Sequence, residues 1–271
     1  MLLAIDVGNT NSVFALFDGE HLVSQWRMAT NASRTSDEYG LWLRQMLALN
    51  DRTYSEITDV ILATVVPRVQ FELVSCCKKY FHVEPMLVDS ALDVPDLSVD
   101  VDHPEEVGAD RLVNAYEGWK RYQCGMVIID FGTATTFDVI TKDGVYIGGV
   151  IAPGVNLSLD ALQKAAAKLP SIGVRCPSHV IGRNTVAAME SGIYYGYVGM
   201  IEGLLNRIKQ EYANIEKVIA TGGLAPLYVR AVPQIDDIVS DLTIYGLASI
   251  YYTNNNFNII NYNKNEEAYG S

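Results

Sequence analysis

Two similar nine-residue stretches decide the fold of this 271-residue chain. Residues 5–13 read Ile-Asp-Val-Gly-Asn-Thr-Asn-Ser-Val, and residues 129–137 read Ile-Asp-Phe-Gly-Thr-Ala-Thr-Thr-Phe, so the two align without a gap. An Asp-Gly pair follows each stretch, at residues 18–19 and 143–144. Each copy therefore predicts a strand, a turn, a second strand, an Asp-Gly turn and a third strand. A repeat at this distance indicates two fused, similar domains rather than a solenoid.

The patterns between and after the two copies alternate between strand and helix, which favours an α/β fold. Thr35-Ser36-Asp37-Glu38 matches a capping box and predicts the start of a helix. Further strands are predicted at residues 22–28, 60–66, 85–88, 126–129, 135–140, 145–152 and 217–220, and further helices at 67–81, 105–122, 157–168 and 185–212. We expect two domains, residues 1–122 and 123–254, followed by a polar, disordered tail at 255–271.

Composition excludes several classes of protein. Hydrophobic residues make up 49% of the chain, so it can bury a core. The 32 acidic residues outnumber the 20 basic ones, and a formal charge of −12 argues against binding to nucleic acid. The longest uncharged stretch, residues 242–263, carries six asparagines, so we expect no membrane span.

The location of the protein is also predicted. Asp6 interrupts the apolar start of the chain and no basic region precedes it, so we expect no secretory signal. The four cysteines show no metal-ligand spacing, and their arrangement suits reduced thiols. We therefore expect a cytoplasmic protein.

The two turns are candidate phosphate loops. Gly8 and Gly132 can adopt positive φ and let the backbone approach an anion, and successive amides can donate to phosphate oxygens. Further donors are the hydroxyls of Thr10, Ser12, Thr133 and Thr135. Carboxylates repel phosphate, so Asp6 and Asp130 suit a cation that neutralises it. A single turn of this kind is more often a plain hairpin corner.

A third close approach of the backbone is predicted at Thr221-Gly222-Gly223, after the strand that ends at residue 220. Its alternative is an ordinary strand-to-helix turn. Two matching turns and this third loop together favour a nucleotide site.

These motifs resemble those of a known family. Residues 6–11, 108–111, 130–136, 148–154 and 221–223 closely resemble, in the same order, the motifs of bacterial type III pantothenate kinases, in the superfamily of actin, sugar kinases and chaperone ATPases. The resemblance implies two duplicated ribonuclease-H-like (actin-like ATPase) α/β domains, with ATP in the cleft between them. It also implies a homodimer that transfers the γ-phosphoryl group of ATP to the primary hydroxyl of pantothenate, the first step of coenzyme A synthesis.

Two other functions stay open on the sequence. One is a kinase of the same superfamily that acts on a different small alcohol or sugar. The other is a non-catalytic regulator on the same fold.

The resemblance also implies cofactors and site residues. The cofactors are ATP, Mg²⁺ and a monovalent cation, K⁺ or NH₄⁺. Residues implied to bind ATP are Asp6, Val7, Gly8, Asn9, Thr10, Asn11, Ser12, Val13 and Thr133. Asp130 is implied to hold the monovalent cation, and Asp6 the Mg²⁺, directly or through water.

The implied general base is Asp110, and the implied substrate site comprises Gly108, Ala109, Asp110, Arg111 and Thr185. Asp110 has an alternative as an ordinary carboxylate in the first turn of a helix, and Thr185 as a helix cap. Arg111 could bind the pantothenate carboxylate or pair with Glu105 or Glu106. Where the family usually has a tyrosine before Gly-Ala-Asp-Arg, this chain has Val101. Asp138 is interpreted as a structural hydrogen-bond acceptor.

Overall fold

A computed structural model describes residues 1–88, 94, 96–165 and 170–269, with side chains described as far as residue 255. The chain forms two compact units. Unit 1 comprises Met1–Leu97, Asp102–Glu117 and Leu242–Ser271, and unit 2 comprises Ser98–Val101 and Gly118–Asp241. The sequence predicts a single boundary between the domains, after residue 122. In the structure, the C-terminal segment from Leu242 belongs to unit 1.

Unit 1 contains a five-stranded sheet of β1 (Leu2–Val7), β2 (Asn11–Asp18), β3 (His21–Ala29), β4 (Asp59–Thr64) and β5 (Met86–Val88). The spatial order is β3-β2-β1-β4-β5. The first three strands are antiparallel neighbours, whereas β4 and β5 run parallel to β1. Its helices are α1 (Ser36–Ala48), α2 (Pro67–Cys76), the first part of α3 (Ala109–Tyr122) and α7 (Leu242–Tyr269).

Local chemistry explains how α1 and α2 begin. The predicted capping box is confirmed, because the Thr35 amide donates to Glu38 Oε2 at 2.7 Å and the Glu38 amide donates to Thr35 Oγ1 at 3.4 Å. Pro67 occupies the first turn of α2, where its missing N–H costs nothing. The α2 helix ends at Cys76 and a π-helical turn continues to Phe81, so the predicted helix over residues 67–81 is regular only in its first part.

Unit 2 repeats this architecture. Its strands are β6 (Ser98–Val99), β7 (Met126–Phe131), β8 (Ala134–Ile140), β9 (Val145–Pro153), β10 (Lys217–Thr221) and β11 (Asp237–Ile238), and its helices are α4 (Val155–Ala165), α5 (Thr185–Glu211) and α6 (Ala225–Tyr228). The sheet order β11-β10-β7-β8-β9-β6 contains the order of unit 1, with β6 added at the edge. The structure thus confirms the predicted duplicated α/β fold.

The register corrects the gapless alignment of the two copies. Val7 pairs with Ser12 in unit 1, whereas Phe131 pairs with Thr135 in unit 2, so the second turn is one residue shorter. Ser12 therefore corresponds to Thr135. Phe14 and Phe137 are equivalent in the same way, and all four side chains are fully buried. The sequence hides the deletion because small polar residues fill both turns.

A backbone hydrogen bond closes each turn in the same way. The Thr30 amide donates to Thr10 O at 2.9 Å, and the Gly154 amide donates to Thr133 O at 3.1 Å. Residue 154 must be glycine, because a Cβ there would lie 2.1 Å from Thr133 O. Because Gly154 stands where unit 1 has Thr30, unit 2 lacks the hydroxyl that Thr30 supplies. Ser12 Oγ pairs with Thr30 Oγ1 at 2.8 Å, whereas the buried Thr135 Oγ1 has no hydrogen-bond partner within the described part of the chain.

The C-terminal helix α7 was not predicted. Thr243 Oγ1 donates to Asn114 Oδ1 at 2.7 Å, and the hydroxyls of Tyr116 and Thr253 lie 3.0 Å apart, which joins α7 to α3. The sequence predicts a polar, disordered tail from residue 255, whereas the structure continues α7 to Tyr269. Residues 255–269 contain no glycine or proline that would stop a helix. Among the helices described, none has the length and apolar character needed to cross a membrane.

The difference between the two turns predicts a difference in stability. Replacing Ser12 by Ala removes a hydrogen bond and should lower the free energy of unfolding by about 1 kcal/mol. Thr135→Val removes a buried hydroxyl without a partner, so it should leave the free energy unchanged or raise it. Urea denaturation of both variants checks this, and a comparable loss in Thr135→Val would contradict the assignment.

Candidate active site

The turn of unit 1 presents its backbone at the carboxyl end of β1. Gly8 is held on both sides, since its amide donates to Asn11 O at 3.0 Å and its carbonyl accepts from Thr30 Oγ1 at 2.7 Å. The next three residues, Asn9, Thr10 and Asn11, are exposed, and Asp6 is half-buried. The carboxyl ends of the parallel strands β1 and β4 meet at this edge, which is where open α/β sheets bind ligands.

The remaining residues of this predicted loop serve the sheet. Val7, Ser12 and Val13 are buried, and the Ser12 hydroxyl is used by Thr30. The sequence allows positive φ at Gly8 and Gly132, yet the structure gives neither residue such a value. Positive φ occurs instead at Gly19 and Gly144 in the two Asp-Gly turns, as expected for tight hairpins.

Unit 2 brings Asp130, the second turn and the third predicted loop together. Thr221 pairs with Asp130 across β10 and β7, so Gly222 follows directly beside the end of β7. Gly222 has φ +88°, and a Cβ there would lie 2.7 Å from Asp130 Oδ1. Thr133 is exposed on the adjoining turn. The loop at Thr221-Gly222-Gly223 therefore packs closely against Asp130 and leads into α6, which fits both predicted interpretations of this loop.

An aromatic stack supports this third loop. Tyr228 of α6 lies parallel to Phe131, with ring centroids 5.3 Å apart and an interplanar angle of 2°. Tyr194 of α5 also stacks on Tyr228, with ring centroids 5.5 Å apart. Burial raises the pKa of Tyr228, so the phenol stays neutral. The stack joins the end of β7 to the helix after Gly223 and leaves the loop little freedom to move.

The motif around Asp110 forms the N-terminus of α3. Asp110 is half-buried, and its Oδ1 accepts a hydrogen bond from the Arg111 amide at 2.8 Å. A Cβ on residue 108 would lie 2.6 Å from that same oxygen, so glycine leaves room for the carboxylate. The helix terminus favours negative charge at this position. Both predicted interpretations of Asp110, a first-turn carboxylate and a general base, fit this placement.

Thr185 is the first residue of α5 and its side chain is exposed. The alternative interpretation of Thr185 as the helix cap is wrong, because Asn184 is the N-cap and accepts a hydrogen bond from the Ala187 amide at 2.9 Å. Both residue types are good caps, so sequence could not choose between neighbours. The Thr185 hydroxyl is therefore not needed to cap the helix.

The segment before α5 borders a cavity of about 400 Å³ that sequence reasoning missed. Arg175 lines it and pairs with the buried carboxylate of Glu190 at 2.7 Å. Arg183 and His179 also line it. The sequence signal for this cavity is the cluster of basic residues that precedes α5. Val101, where the resemblance implies a tyrosine, lies in unit 2 beside Gly148.

Solved structures with similar folds define the class of protein. A protein from Campylobacter jejuni, described as a Baf family transcriptional activator, has a TM-score of 0.58 at 18% identity and covers 94% of this chain and 99% of its own. A protein from Sinorhizobium meliloti, described as a 2-dehydro-3-deoxygalactonokinase, has a TM-score of 0.56 at 13% identity, covering 93% and 96%. The chain therefore has the fold of the actin-like ATPases and sugar kinases.

Comparison of sequences defines a narrower group of proteins than comparison of folds. The family model described as type III pantothenate kinase matches residues 2–207. The type III pantothenate kinase of Paramagnetospirillum magneticum is 52% identical over 255 residues, which is 94% of this chain and 98% of that protein. This chain belongs to the type III pantothenate kinase family.

The contact between Gly222 and Asp130 generates a prediction. Gly222→Ala should lower the free energy of unfolding by about 1–3 kcal/mol, because alanine is strained at this φ and its Cβ would meet the Asp130 carboxylate. Gly223→Ala is the matched control, since no atom lies within 4 Å of its Cβ. Thermal and urea unfolding of the two variants check this, and equal stabilities would contradict the close approach.

Proposed function

We propose that this chain phosphorylates pantothenate at its primary hydroxyl with ATP. The observation that carries the proposal is 52% identity over nearly its whole length to a type III pantothenate kinase. The chain also retains carboxylates at Asp6, Asp110 and Asp130, together with the three glycine-containing loops. These features favour an active enzyme over a non-catalytic regulator. The likeness to the Baf family protein concerns the fold alone, at 18% identity.

The proposed reaction is an in-line transfer. The oxygen of the pantothenate hydroxyl forms a bond to the γ-phosphorus, the bond between that phosphorus and the bridging oxygen of ADP breaks, and Asp110 accepts the hydroxyl proton. Phosphoryl transfer depends mainly on positioning and charge neutralisation. The placement of Asp110 at the N-terminus of α3, with Oδ1 held by the Arg111 amide, supports its role because the carboxylate has a fixed orientation.

The substrate residues follow from the same motif. Arg111 presents a planar guanidinium that can bind the pantothenate carboxylate through two hydrogen bonds. Gly108 and Ala109 leave space beside Asp110. Thr185 offers a hydroxyl at the N-terminus of α5, where anionic groups are favoured.

The residues proposed to bind ATP lie on two loops. Residues 6–13 supply the first, and Thr133 belongs to the second. The exposed turn residues and the closing hydrogen bonds at Thr10 and Thr133 support these roles.

The residues fit the cations that the family implies. No group of three or more His, Cys, Asp or Glu residues in the described part of the chain could hold a metal ion. Mg²⁺ is commonly bound by one or two carboxylates and by substrate phosphates, so a single carboxylate at Asp6 suits it. At Asp130, Gly222 leaves a space that a Cβ would fill. When bound, the two cations would neutralise phosphate charge, and Asp130 would hold the monovalent one.

We also propose a cytoplasmic homodimer. Free cysteines at positions 76, 77, 124 and 176 suit a reducing compartment. The outer face of α5 carries Gly192, Gly196 and Gly199, and no atom lies within 4 Å of a Cβ built on any of them. Such a face permits a second helix to approach closely.

The role of Asp110 is tested by substitution. Asp110→Asn should fold normally and bind ATP, but lose about 100- to 10,000-fold in turnover, because the amide cannot accept the proton. Glu106→Gln is a matched control, since it removes a nearby exposed carboxylate. Coupled ADP release with pantothenate measures both. Full turnover in Asp110→Asn would remove Asp110 from the mechanism.

The cation at Asp130 is tested by exchanging salts. Replacing K⁺ by Na⁺ at constant ionic strength should lower turnover, because a smaller ion fits the same oxygens less well. The same assay run in KCl, NH₄Cl and NaCl measures the effect. Equal rates in all three salts would contradict a selective monovalent site.

A further inference from the structure

One face of the second sheet carries polar side chains where the first sheet carries apolar ones. Thr136 pairs with Asp130 across β8 and β7, and Asp138 lies two residues further along the same face. Tyr146 Oη donates to Asp138 Oδ1 at 2.9 Å, and Thr136 Oγ1 donates to Asp138 Oδ2 at 3.1 Å. We call Thr136, Asp138 and Tyr146 the β8 polar chain.

The duplication supplies an internal comparison. By register, Asp6 and Val13 correspond to Asp130 and Thr136. The same register gives the remaining equivalent pairs, which are Ala15 with Asp138 and Leu22 with Tyr146. Even the irregularity between the second and third strands recurs, at Leu16/Phe17 and at Val139/Ile140. The fold therefore does not require a polar side chain at the positions of Thr136, Asp138 and Tyr146.

The burial of the Asp138 carboxylate lowers the stability of the fold, which argues against a purely structural role. Its exposed fraction is 0%, and that of Tyr146 is 1%. Burying a carboxylate is unfavourable even when hydrogen bonds compensate, and an apolar replacement is often neutral or stabilising. Unit 1 contains that apolar solution, with a fully buried Ala15. The carboxylate in unit 2 is thus better explained by what it does to its neighbours.

Asp138 fixes the proton of Thr136. A threonine hydroxyl has one proton and two acceptor lone pairs, so a hydroxyl that donates to Asp138 can only accept elsewhere. Thr136 is half-buried, as is Asp130, and directly opposite residues of an antiparallel pair have Cβ atoms about 4.5–5.5 Å apart. Asp130 and Thr136 are therefore neighbours that both carry oxygen acceptors, and oxygen acceptors are the ligands that hard cations prefer.

We propose that Asp138 is a positioning residue for the cation site at Asp130 and acts through the hydroxyl of Thr136. This proposal rests on the proposed function only in placing a monovalent cation at Asp130. It adds Thr136 as a second oxygen at the site and assigns the buried Asp138 to its orientation. Tyr146 holds the far side of the Asp138 carboxylate.

The test measures cation binding directly. The unfolding temperature of the full chain is titrated with KCl against choline chloride at constant ionic strength, with and without ADP. A ligand that binds the folded state raises this temperature, so the titration gives the half-saturating K⁺ concentration. Asp138→Ala, which copies Ala15, should raise that concentration by about 10- to 100-fold, the usual effect of removing an outer partner of a metal site. Thr136→Val, which copies Val13, removes an oxygen of the site itself and should raise it at least as much.

Three controls separate positioning from stability. Thr136→Ser keeps the hydroxyl and should retain the wild-type K⁺ response. Thr135→Val removes the neighbouring hydroxyl on the opposite face of β8 and should also retain it. In the kinase assay, Thr136→Val should need more K⁺ for half-maximal turnover and recover turnover at high K⁺, which general destabilisation would not produce.

The outcomes distinguish the two proposals. If the wild-type chain shows no K⁺-dependent rise in either condition, the cation site fails and this inference fails with it. If the wild type responds and Asp130→Asn does not, the site at Asp130 stands. Wild-type half-saturation in both Thr136→Val and Asp138→Ala would then overturn the positioning role alone.

Discussion

One backbone hydrogen bond, present in both units, fixes the loops on which the site depends. It joins the residue after the third strand to a carbonyl in the first turn, from Thr30 to Thr10 in unit 1 and from Gly154 to Thr133 in unit 2. This bond holds the turn against the end of the sheet, so the exposed amides next to it are oriented before any ligand arrives. Preorganised donors of this kind lower the cost of binding a charged group.

The two units keep this bond and differ around it. In unit 1 a threonine follows the third strand, and its hydroxyl bridges Ser12 and Gly8. In unit 2 that position is Gly154, because Thr133 O leaves no space for a side chain. On the face of the second sheet opposite Thr135, unit 2 has the carboxylate of Asp138 where unit 1 has Ala15. The close approach of Gly222 adds a third loop at Asp130. The two loops thus share one backbone arrangement and differ in the side chains around it.

Much of the fold could be predicted from the sequence because the buried strands end in recognisable turns. Asp6 and Asp130 each follow an apolar run and precede a glycine, which is enough to place them at strand ends. The missing residue in the second turn was invisible, since Thr135 and Thr136 resemble Ser12 in size and polarity. The strands β6 and β11 have two residues each, too few for any periodicity. The helix α7 mixes aromatic residues and asparagines without a clear apolar stripe, so its pattern gave no signal.

Some parts of the site could be predicted from the sequence in more detail than others. The third loop at Gly222 could be expected from two glycines after a strand, and its contact with Asp130 follows from parallel pairing of β10 with β7. The choice of Asn184 over Thr185 as the cap of α5 depends on local geometry that residue types do not specify. The role of Asp138 depends on register, because only the pairing of β7 with β8 reveals which side chains share its face.

The most direct test of the account is the identity of the product. The purified chain is incubated with ATP, Mg²⁺, K⁺ and pantothenate, and mass spectrometry quantifies phosphorylated pantothenate while a coupled assay quantifies ADP. The account predicts one phosphopantothenate for each ADP released, and no ADP release above background without pantothenate. ADP release that is independent of pantothenate, or phosphorylation of a different alcohol in its place, would contradict it.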